Sequence, residues 1–256
     1  MKTELVKHKV NRAYNSIGSN IFLEFGDSKE VVFKNGRKTT LKEWSIWIAN
    51  ASWKITKNKV YIVGSGDPRD SIQLYIQNLI GKQFERMEFT SQFLDAQFDF
   101  TDGYQLTTFF NQMNENQWTI FFPDQTDIGV DCSTQESIKN TQIESNQFKL
   151  AKTYTTQDQI QAGQSIKKIT WDTTEQPTIH FENNSIFSLK KTAWRLEKNL
   201  NYIFGCLEQD LEKEKKTLNQ LIGMKLNRIN HRSNLLDMRF EFEKGYILEA
   251  FACCAP

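Results

Sequence analysis

Two stretches of this 256-residue chain carry the same landmarks in the same order. Three of the five matching segments recur 142 residues further on. The two upstream segments, around Trp53 and Tyr61, recur 141 residues further on. A shared order over positions 51–104 predicts a tandem duplication of one structural unit. The matching segments are 51–55 with 192–196, 61–64 with 202–205, 79–81 with 221–223, 94–100 with 236–242, and 103–104 with 245–246.

Each unit contains a segment with the alternation of a half-buried strand. In 94–100, the residues Leu94, Ala96, Phe98 and Phe100 share one face, and polar residues occupy the other. A glycine-containing turn follows, which suits a tight hairpin because glycine tolerates positive φ. A second hairpin is predicted upstream in each copy, across 58–59 and 198–201.

A helical pattern lies between the two hairpins of each unit. Near 69–80, apolar residues recur at spacings of three and four, and Gly81 suits a C-cap. The counterpart near 209–222 carries a run of charged residues, which is typical of a solvated helix face. The sequence therefore predicts an α+β, mostly β fold, with two tandem copies of an antiparallel sheet unit and one inserted helix in each.

The two copies differ in length and are joined by a polar stretch. We predict a first domain at 1–132, a linker at 133–164 that is rich in Gln, Thr, Ser and Asn, and a second domain at 165–256. The first copy adds two predicted strands, at 117–123 and 128–130, that the second copy lacks. Strands missing from the second copy would expose a sheet edge, which either the first domain or a partner would cover.

Composition narrows the class of partner and the compartment. Lys plus Arg is 32 and Asp plus Glu is 31, and such a balance argues against a dedicated duplex-binding protein, so nucleic acid is not the expected partner. Neither a signal-peptide pattern nor an apolar run of membrane-spanning length is present. The four cysteines lack a paired spacing. We therefore expect a cytoplasmic protein without membrane contact.

A search for reactive groups gives no convincing constellation. The histidines His8, His180 and His231 are scattered and lack metal-ligand spacing. The stretch 64–67, Gly-Ser-Gly-Asp, lacks the Lys-Ser/Thr of a phosphate-binding loop. Glu214-Lys215-Lys216 matches a nuclease-like Glu-x-Lys pattern but lies in the charged helix. We predict no catalytic residue, no metal ligand and no cofactor.

Two features are candidates for binding a partner. Asp95 and Asp99 share the polar face of one strand, and Asp237 and Glu241 repeat them in the second copy, so an acidic stripe would face solvent. Trp47 would point away from the face that Trp44, Ile46 and Ile48 share, and an exposed tryptophan is a good binding anchor. The alternatives are a solvated sheet face for the acids and a place in a β core for Trp47.

The order of these landmarks resembles that of small uncharacterised bacterial domain families. It runs through Leu-Ile-Gly, an alternating strand and Asp-Gly-Tyr to Trp118 and Phe122-Pro123. Several such families look like immunity proteins of polymorphic-toxin systems. The resemblance covers most of the first copy and the core of the second, which lacks the tryptophan-containing end. It implies a cytoplasmic binding protein that neutralises a cognate toxin.

Three functional hypotheses follow. The leading one is a non-catalytic, immunity or antitoxin-like inhibitor that binds a protein partner, a toxin or effector. The alternative is a nucleotide-responsive or enzymatic component of a bacterial defence system with a site between the two units, since ligand pockets favour domain interfaces. The third is a structural subunit that self-associates or pairs with another chain through its exposed edge strand.

Overall fold

The computed structural model describes residues 5–32, 36, 38–91, 93–112, 117–123, 127–130, 160–190, 192–208, 210–231 and 237–253. Contacts divide the chain into two compact units, Met1–Lys149 and Leu150–Cys254. Most of the predicted linker, 133–164, lies outside the described residues.

The described part of the first unit forms two five-stranded antiparallel sheets. One sheet has the order β1-β2-β3-β9-β10 and the other the order β5-β4-β8-β7-β6. A short helix, α1 (Arg69–Tyr75), continues into a 3-10 turn (Ile76–Leu79) between β5 and β6. The strands are β1 (Val10–Asn15), β2 (Ile21–Val32), β3 (Lys38–Ile48), β4 (Ser52–Lys57), β5 (Val60–Gly64), β6 (Phe84–Phe89), β7 (Ala96–Phe100), β8 (Tyr104–Phe109), β9 (Trp118–Phe121) and β10 (Asp127–Val130).

The described part of the second unit forms a three-stranded sheet, β11-β12-β13, and a five-stranded sheet, β15-β14-β18-β17-β16, both antiparallel. Helix α2 (Leu211–Asn219) lies between β15 and β16, and the Asp210 side chain caps it by accepting from the backbone N–H of Lys213. The predicted fold class is confirmed. The strands are β11 (Ile166–Trp171), β12 (Pro177–Phe181), β13 (Ile186–Ser188), β14 (Thr192–Lys198), β15 (Asn201–Gly205), β16 (Leu226–His231), β17 (Met238–Phe242) and β18 (Tyr246–Ala252).

The duplication extends further upstream than the sequence landmarks indicated. Strands β1 and β2 pair with Val10 opposite Phe25 and with a bulge before Arg12, and β11 and β12 pair with Ile166 opposite Phe181 and the same bulge. The spacing between copies is 156 residues here, against 141 from β3 to β5 and 142 from β6 onward, because the β2–β3 ribbon of the first copy is longer than the β12–β13 hairpin. The repeated unit is therefore a three-stranded meander followed by a five-stranded sheet.

Each unit has its own apolar core, which draws on both of its sheets. In the first unit, Phe25 of β2 meets Phe84 of β6 edge-on, and Trp118 of β9 meets Phe98 of β7 in the same way. In the second unit, Phe187 of β13 lies 4.7 Å from Phe240 of β17, measured between ring centroids. The inward positions of the alternating strands supply these side chains.

Strand β7 begins two residues later than the alternation predicts. Leu94 has a φ of +64°, so the chain bends before Ala96. The carboxylate of Asp95 accepts a hydrogen bond from the backbone N–H of Phe110 at 2.6 Å, which ties this bend to the end of β8. Leu94 is nevertheless buried.

The turn between β7 and β8 and the matching turn between β17 and β18 each favour a glycine. Gly103 has a φ of +75°, and a Cβ added there would lie 2.0 Å from Oδ1 of Asn58; Gly245 has the same relation to Asn199. The backbone N–H of each asparagine donates to the carbonyl of its glycine at 2.9 Å. The two hairpins of each copy are thus held against each other at this point.

We expect Gly103→Ala to lower the free energy of unfolding by about 2–3 kcal/mol, from backbone strain plus displacement of Asn58. Gly81→Ala is the matched control: its φ is +81° and nothing lies within 4 Å of an added Cβ. Backbone strain alone should cost about 1 kcal/mol there. Urea titration measures both variants, and equal losses would contradict the steric role of Asn58.

Candidate binding surface

Three aromatic rings form a stacked row across the outer face of the first unit's meander. Tyr14, Phe22 and Trp47 occupy directly paired positions on β1, β2 and β3. The ring centroids of Tyr14 and Phe22 are 5.3 Å apart at an interplanar angle of 9°, and those of Phe22 and Trp47 are 5.6 Å apart at 14°. All three residues are half-buried. We call these three residues the aromatic row.

The predicted orientation of Trp47 is confirmed. Trp44, Ile46 and Ile48 are buried in the core, and Trp47 lies on the opposite face. The indole Nε1 of Trp47 is buried without a hydrogen-bond partner among the described residues. An unsatisfied buried donor is rare in folded proteins, which marks this position as one that packing alone does not explain.

Charged side chains border the tyrosine end of the aromatic row. The guanidinium carbon of Arg12 lies 4.3 Å from the Tyr14 ring centroid. The phenol of Tyr14 donates to Glu24 at 3.2 Å, and Arg12 and Glu24 form an ion pair at 3.8 Å. Burial, together with the Glu24 carboxylate, raises the pKa of the Tyr14 phenol. The phenol therefore stays a neutral donor.

The edge of β1 that does not pair with β2 is covered by the helical segment 69–79, beside the aromatic row. The amide of Gln77 donates to the carbonyl of Ala13 at 2.6 Å, and the Gln73 amide oxygen accepts from the N–H of Asn15 at 3.1 Å. Arg69 donates to the carbonyl of Ser16 at 3.0 Å. These bonds satisfy edge groups and fix the strand that carries Arg12 and Tyr14.

The second copy has no aromatic residues at the matching outer positions. From the shared register, Tyr14, Phe22 and Trp47 correspond to Thr170, Thr178 and Ser188. The core-facing positions stay apolar in both copies: Ala13, Leu23 and Ile46 correspond to Ile169, Ile179 and Phe187. The meander thus forms with or without an aromatic outer face.

The prediction that Asp95 and Asp237 face solvent is wrong. Their exposed fractions are 3% and 9%. Asp237 accepts from the backbone N–H of Ala252 at 2.9 Å, as Asp95 does from Phe110. Each carboxylate caps the end of a neighbouring strand, and these hydrogen bonds let it be buried.

The prediction is also wrong for Asp99, which is 6% exposed. Its carboxylate pairs with Arg86 and accepts from Gln97 at 2.9 Å and from Gln105 at 3.0 Å. Glu241 is half-buried and accepts from Arg239 at 3.0 Å and from Asn230 at 3.1 Å. The structure does not gather the four acidic residues into one exposed stripe: Asp95 and Asp237 lie just before their strands, and Asp99 and Glu241 lie within theirs.

A chain of alternating charges crosses the non-core face of the second unit's large sheet. Its order is Glu197, Arg195, Glu249, Arg239 and Glu241, on β14, β18 and β17. Arg195 donates to Glu197 at 2.8 Å and pairs with Glu249; Arg239 donates to Glu249 at 2.7 Å. The side chains of Arg195 and Glu197 are 1% exposed and that of Glu249 is 2% exposed. We call these five residues the charge chain.

Two carboxyl groups in the second unit have strongly raised pKa values. Burial, reinforced by Glu249, raises the pKa of Glu197 to about 7, although Arg195 opposes the shift. Burial and the nearby Glu175 carboxylate raise the pKa of Glu214 to about 7. A carboxyl that titrates near neutrality is typical of acid–base catalysis. The side chain of Glu197, however, is buried and pairs with Arg195 in the charge chain.

The loop before α1 has a structural role in both copies. The hydroxyl of Ser65 accepts from the backbone N–H of Trp53 at 3.1 Å, and the sulfur of Cys206 accepts from that of Trp194 at 3.3 Å. Asp67 accepts from the phenol of Tyr61 at 2.6 Å, as Glu208 does from Tyr202. The 64–67 stretch is thus organised by these shared bonds.

The described residues contain no group of three or more His, Cys, Asp or Glu side chains that could hold a metal ion. Within the same residues, neither helix combines the length and apolar character needed to cross a membrane. Comparison with protein-family models, with curated proteins and with solved structures finds no match to this chain.

Proposed function

We propose that this chain is a non-catalytic protein-binding protein that holds a protein partner on the aromatic row. The resemblance to immunity proteins suggests that the partner is a toxin, which the bound chain would inhibit. An inhibitor of this kind needs only a complementary surface that blocks the partner's site.

The observation that carries the proposal is the difference between the two copies. A copy with Thr170, Thr178 and Ser188 on its outer face builds the same meander as a copy with three stacked rings. The rings are therefore not required to form this sheet. Half-exposed aromatic side chains that folding does not require are typical of an interaction surface.

The chemistry of the aromatic row suits a protein interface. Tryptophan, tyrosine and arginine are the residues most enriched at binding hot spots, and Trp47, Tyr14 and Arg12 lie together here. Stacking of the rings on one another fixes their rotamers before binding, which reduces the entropy lost on association.

Ring geometry favours a protein over a single-stranded nucleic acid. The rings of Tyr14, Phe22 and Trp47 stack on each other, and Arg12 lies over Tyr14. Bases need open ring faces on which to stack, whereas neighbouring rings and Arg12 occupy ring faces here, so a partner would meet the rings at their edges. Ring edges carry partial positive charge and suit the carbonyl and carboxylate oxygens of a protein partner.

Among the predicted partner-binding residues, Trp47 supports the proposal most directly. The carboxylates of Asp95, Asp99 and Asp237 are buried and hydrogen-bonded within their own unit. They offer little area to a partner. Glu241 is engaged by Arg239 and Asn230.

The chain itself provides the variant for the test. Replacing Tyr14, Phe22 and Trp47 with the second copy's residues, as Tyr14→Thr, Phe22→Thr and Trp47→Ser, gives a row-swapped variant. Affinity capture from lysate of the source organism, with the wild-type and row-swapped chains in parallel, should retain one stoichiometric protein on the wild type alone. Equal retention by both chains would contradict a role for the aromatic row.

The inhibitor part of the proposal needs a separate assay. The captured partner should arrest growth when it is expressed alone, and co-expression of the wild-type chain should restore growth. The row-swapped variant should fail to restore it at an equal level of folded protein. A captured partner that is harmless alone would contradict the inhibitor role and leave only the binding role.

A further inference from the structure

The third strand of the meander has different neighbours in the two copies. In the first copy, β3 pairs with β9 on the side away from β2, with Ser45 opposite Phe121 and Trp47 opposite Thr119. In the second copy, β13 pairs with β12, and no other strand among the described residues pairs with it. The place that β9 occupies in the first copy has no counterpart in the described part of the second.

Hydrogen bonds define which backbone groups of β13 face this edge. The carbonyl of Ser185 accepts from the N–H of Phe181, and the N–H of Leu189 donates to the carbonyl of Pro177, both at 3.0 Å. Because bonding alternates along an antiparallel strand, the backbone groups of Ile186 and Ser188 point away from β12. Their register equivalents are Ser45 and Trp47, the residues that lie opposite β9 in the first copy.

The core beneath this edge is less completely covered than in the first copy. Phe187 is half-buried, whereas its equivalent Ile46 is fully buried. Trp118 of β9 packs edge-on against Phe98 in the first copy, and Phe187 reaches Phe240, the equivalent of Phe98, in the second. Phe187, whose side chain is larger than that of Ile46, thus contacts the residue equivalent to the one that Trp118 contacts in the first copy. Ile186, which lies on the outer face, is 58% exposed.

We propose that the β13 edge binds an extended segment of a partner protein, which adds to the sheet as an antiparallel strand. Strand β9 shows the chemistry that fits: inward apolar residues at alternate positions, Trp118 and Ile120, separated by Thr119. Main-chain hydrogen bonds to Ile186 and Ser188 would supply affinity, and the alternate side chains would supply specificity.

A partner strand fits this edge better than a second copy of β13 does. Strand β9 brings two apolar side chains into the core. A second β13 would bring only Phe187, whose ring already packs on Phe240. Unlike the aromatic row, this surface belongs to the second unit, so either surface can fail its test without the other.

The experiment uses the full chain and a peptide with the sequence of residues 117–123, with lysines added at both ends for solubility. Amide signals in a two-dimensional nitrogen–proton NMR spectrum are followed during the titration. We expect saturable shifts that centre on Ile186 and Ser188. The control peptide carries serine at the positions of Trp118 and Ile120, and should produce no shifts.

Ser188→Pro is the decisive variant, because it removes the N–H that faces the open edge and leaves the bonds to β12 intact. It should abolish the shifts, whereas Ser188→Ala should keep them. Absence of shifts at millimolar peptide, or equal shifts in Ser188→Pro, would overturn the proposal. Shifts at Ser45 and Trp47 instead would indicate exchange with β9, and shifts that follow protein concentration without peptide would assign the edge to a second copy. Either result would also overturn it.

Discussion

Replacing Arg195 with methionine is expected to lower the free energy of unfolding by about 3–5 kcal/mol. Arg195 pairs with both Glu197 and Glu249, and all three side chains are 2% exposed or less. Methionine has a similar length but no charge, so both carboxylates would be left buried without this partner. Removing one member of a buried ion pair is costly for that reason, even where the pair as a whole adds little stability.

Arg86→Met is the matched control for this prediction. Arg86 also pairs with a buried carboxylate, Asp99, but its own side chain is 63% exposed. Gln97 and Gln105 continue to donate to Asp99 when the arginine is absent. We expect a loss of about 1 kcal/mol or less. Guanidinium titration of both variants measures the difference, and similar losses would contradict the special position of Arg195.

Glu197→Gln is expected to remove a pH dependence of stability. The pKa of Glu197 in the folded chain is about 7, raised by burial above the ordinary value of 4.5. Between these values the folded chain binds a proton that the unfolded chain has released, so stability falls as pH rises from 4.5 to 7. At about 1.4 kcal/mol per pKa unit, the total is on the order of 3 kcal/mol.

The measurement is urea denaturation at pH 5 and at pH 8. Glu197→Gln should have nearly the stability of the wild type at pH 5, where Glu197 is neutral in the folded chain, and should exceed it at pH 8, because glutamine carries no charge to bury. Glu182→Gln, at an exposed position of the same unit, should leave the wild-type pH dependence unchanged. A Glu197→Gln variant that is less stable than the wild type at pH 8 would contradict the raised pKa as the dominant effect.

Alternation in the sequence predicts the side of a strand on which a residue lies, but not what meets that side. The alternation predicts that Trp47 lies away from the core. The burial of Trp44, Ile46 and Ile48 on the other face confirms this prediction. The same alternation predicts that Asp95 faces solvent. It does not reveal that Asp95 is buried, because the hydrogen bond that its carboxylate accepts comes from the backbone N–H of Phe110, 15 residues further along the chain.

Two parts of the structure carried little sequence signal. The repeat of the meander could not be predicted from the sequence, because the two copies share only an alternation of apolar residues there. The number of residues that separates equivalent positions also changes between β2 and β3. The charge chain was missed because its partners come from separate strands: Arg195 and Glu249 lie 54 residues apart. The one usable signal was Arg195 and Glu197 at alternate positions beside Trp194, where the first copy has Lys54 and Thr56.

We propose that the aromatic row serves binding and is not needed for folding. The most direct test measures the dissociation constant of the row-swapped variant for the captured partner, beside its urea unfolding transition. We predict an affinity loss of about 100-fold or more, with a single cooperative transition and an unchanged circular dichroism spectrum. Unchanged affinity, or loss of the folded state on exchanging Tyr14, Phe22 and Trp47 for the second copy's residues, would contradict the claim.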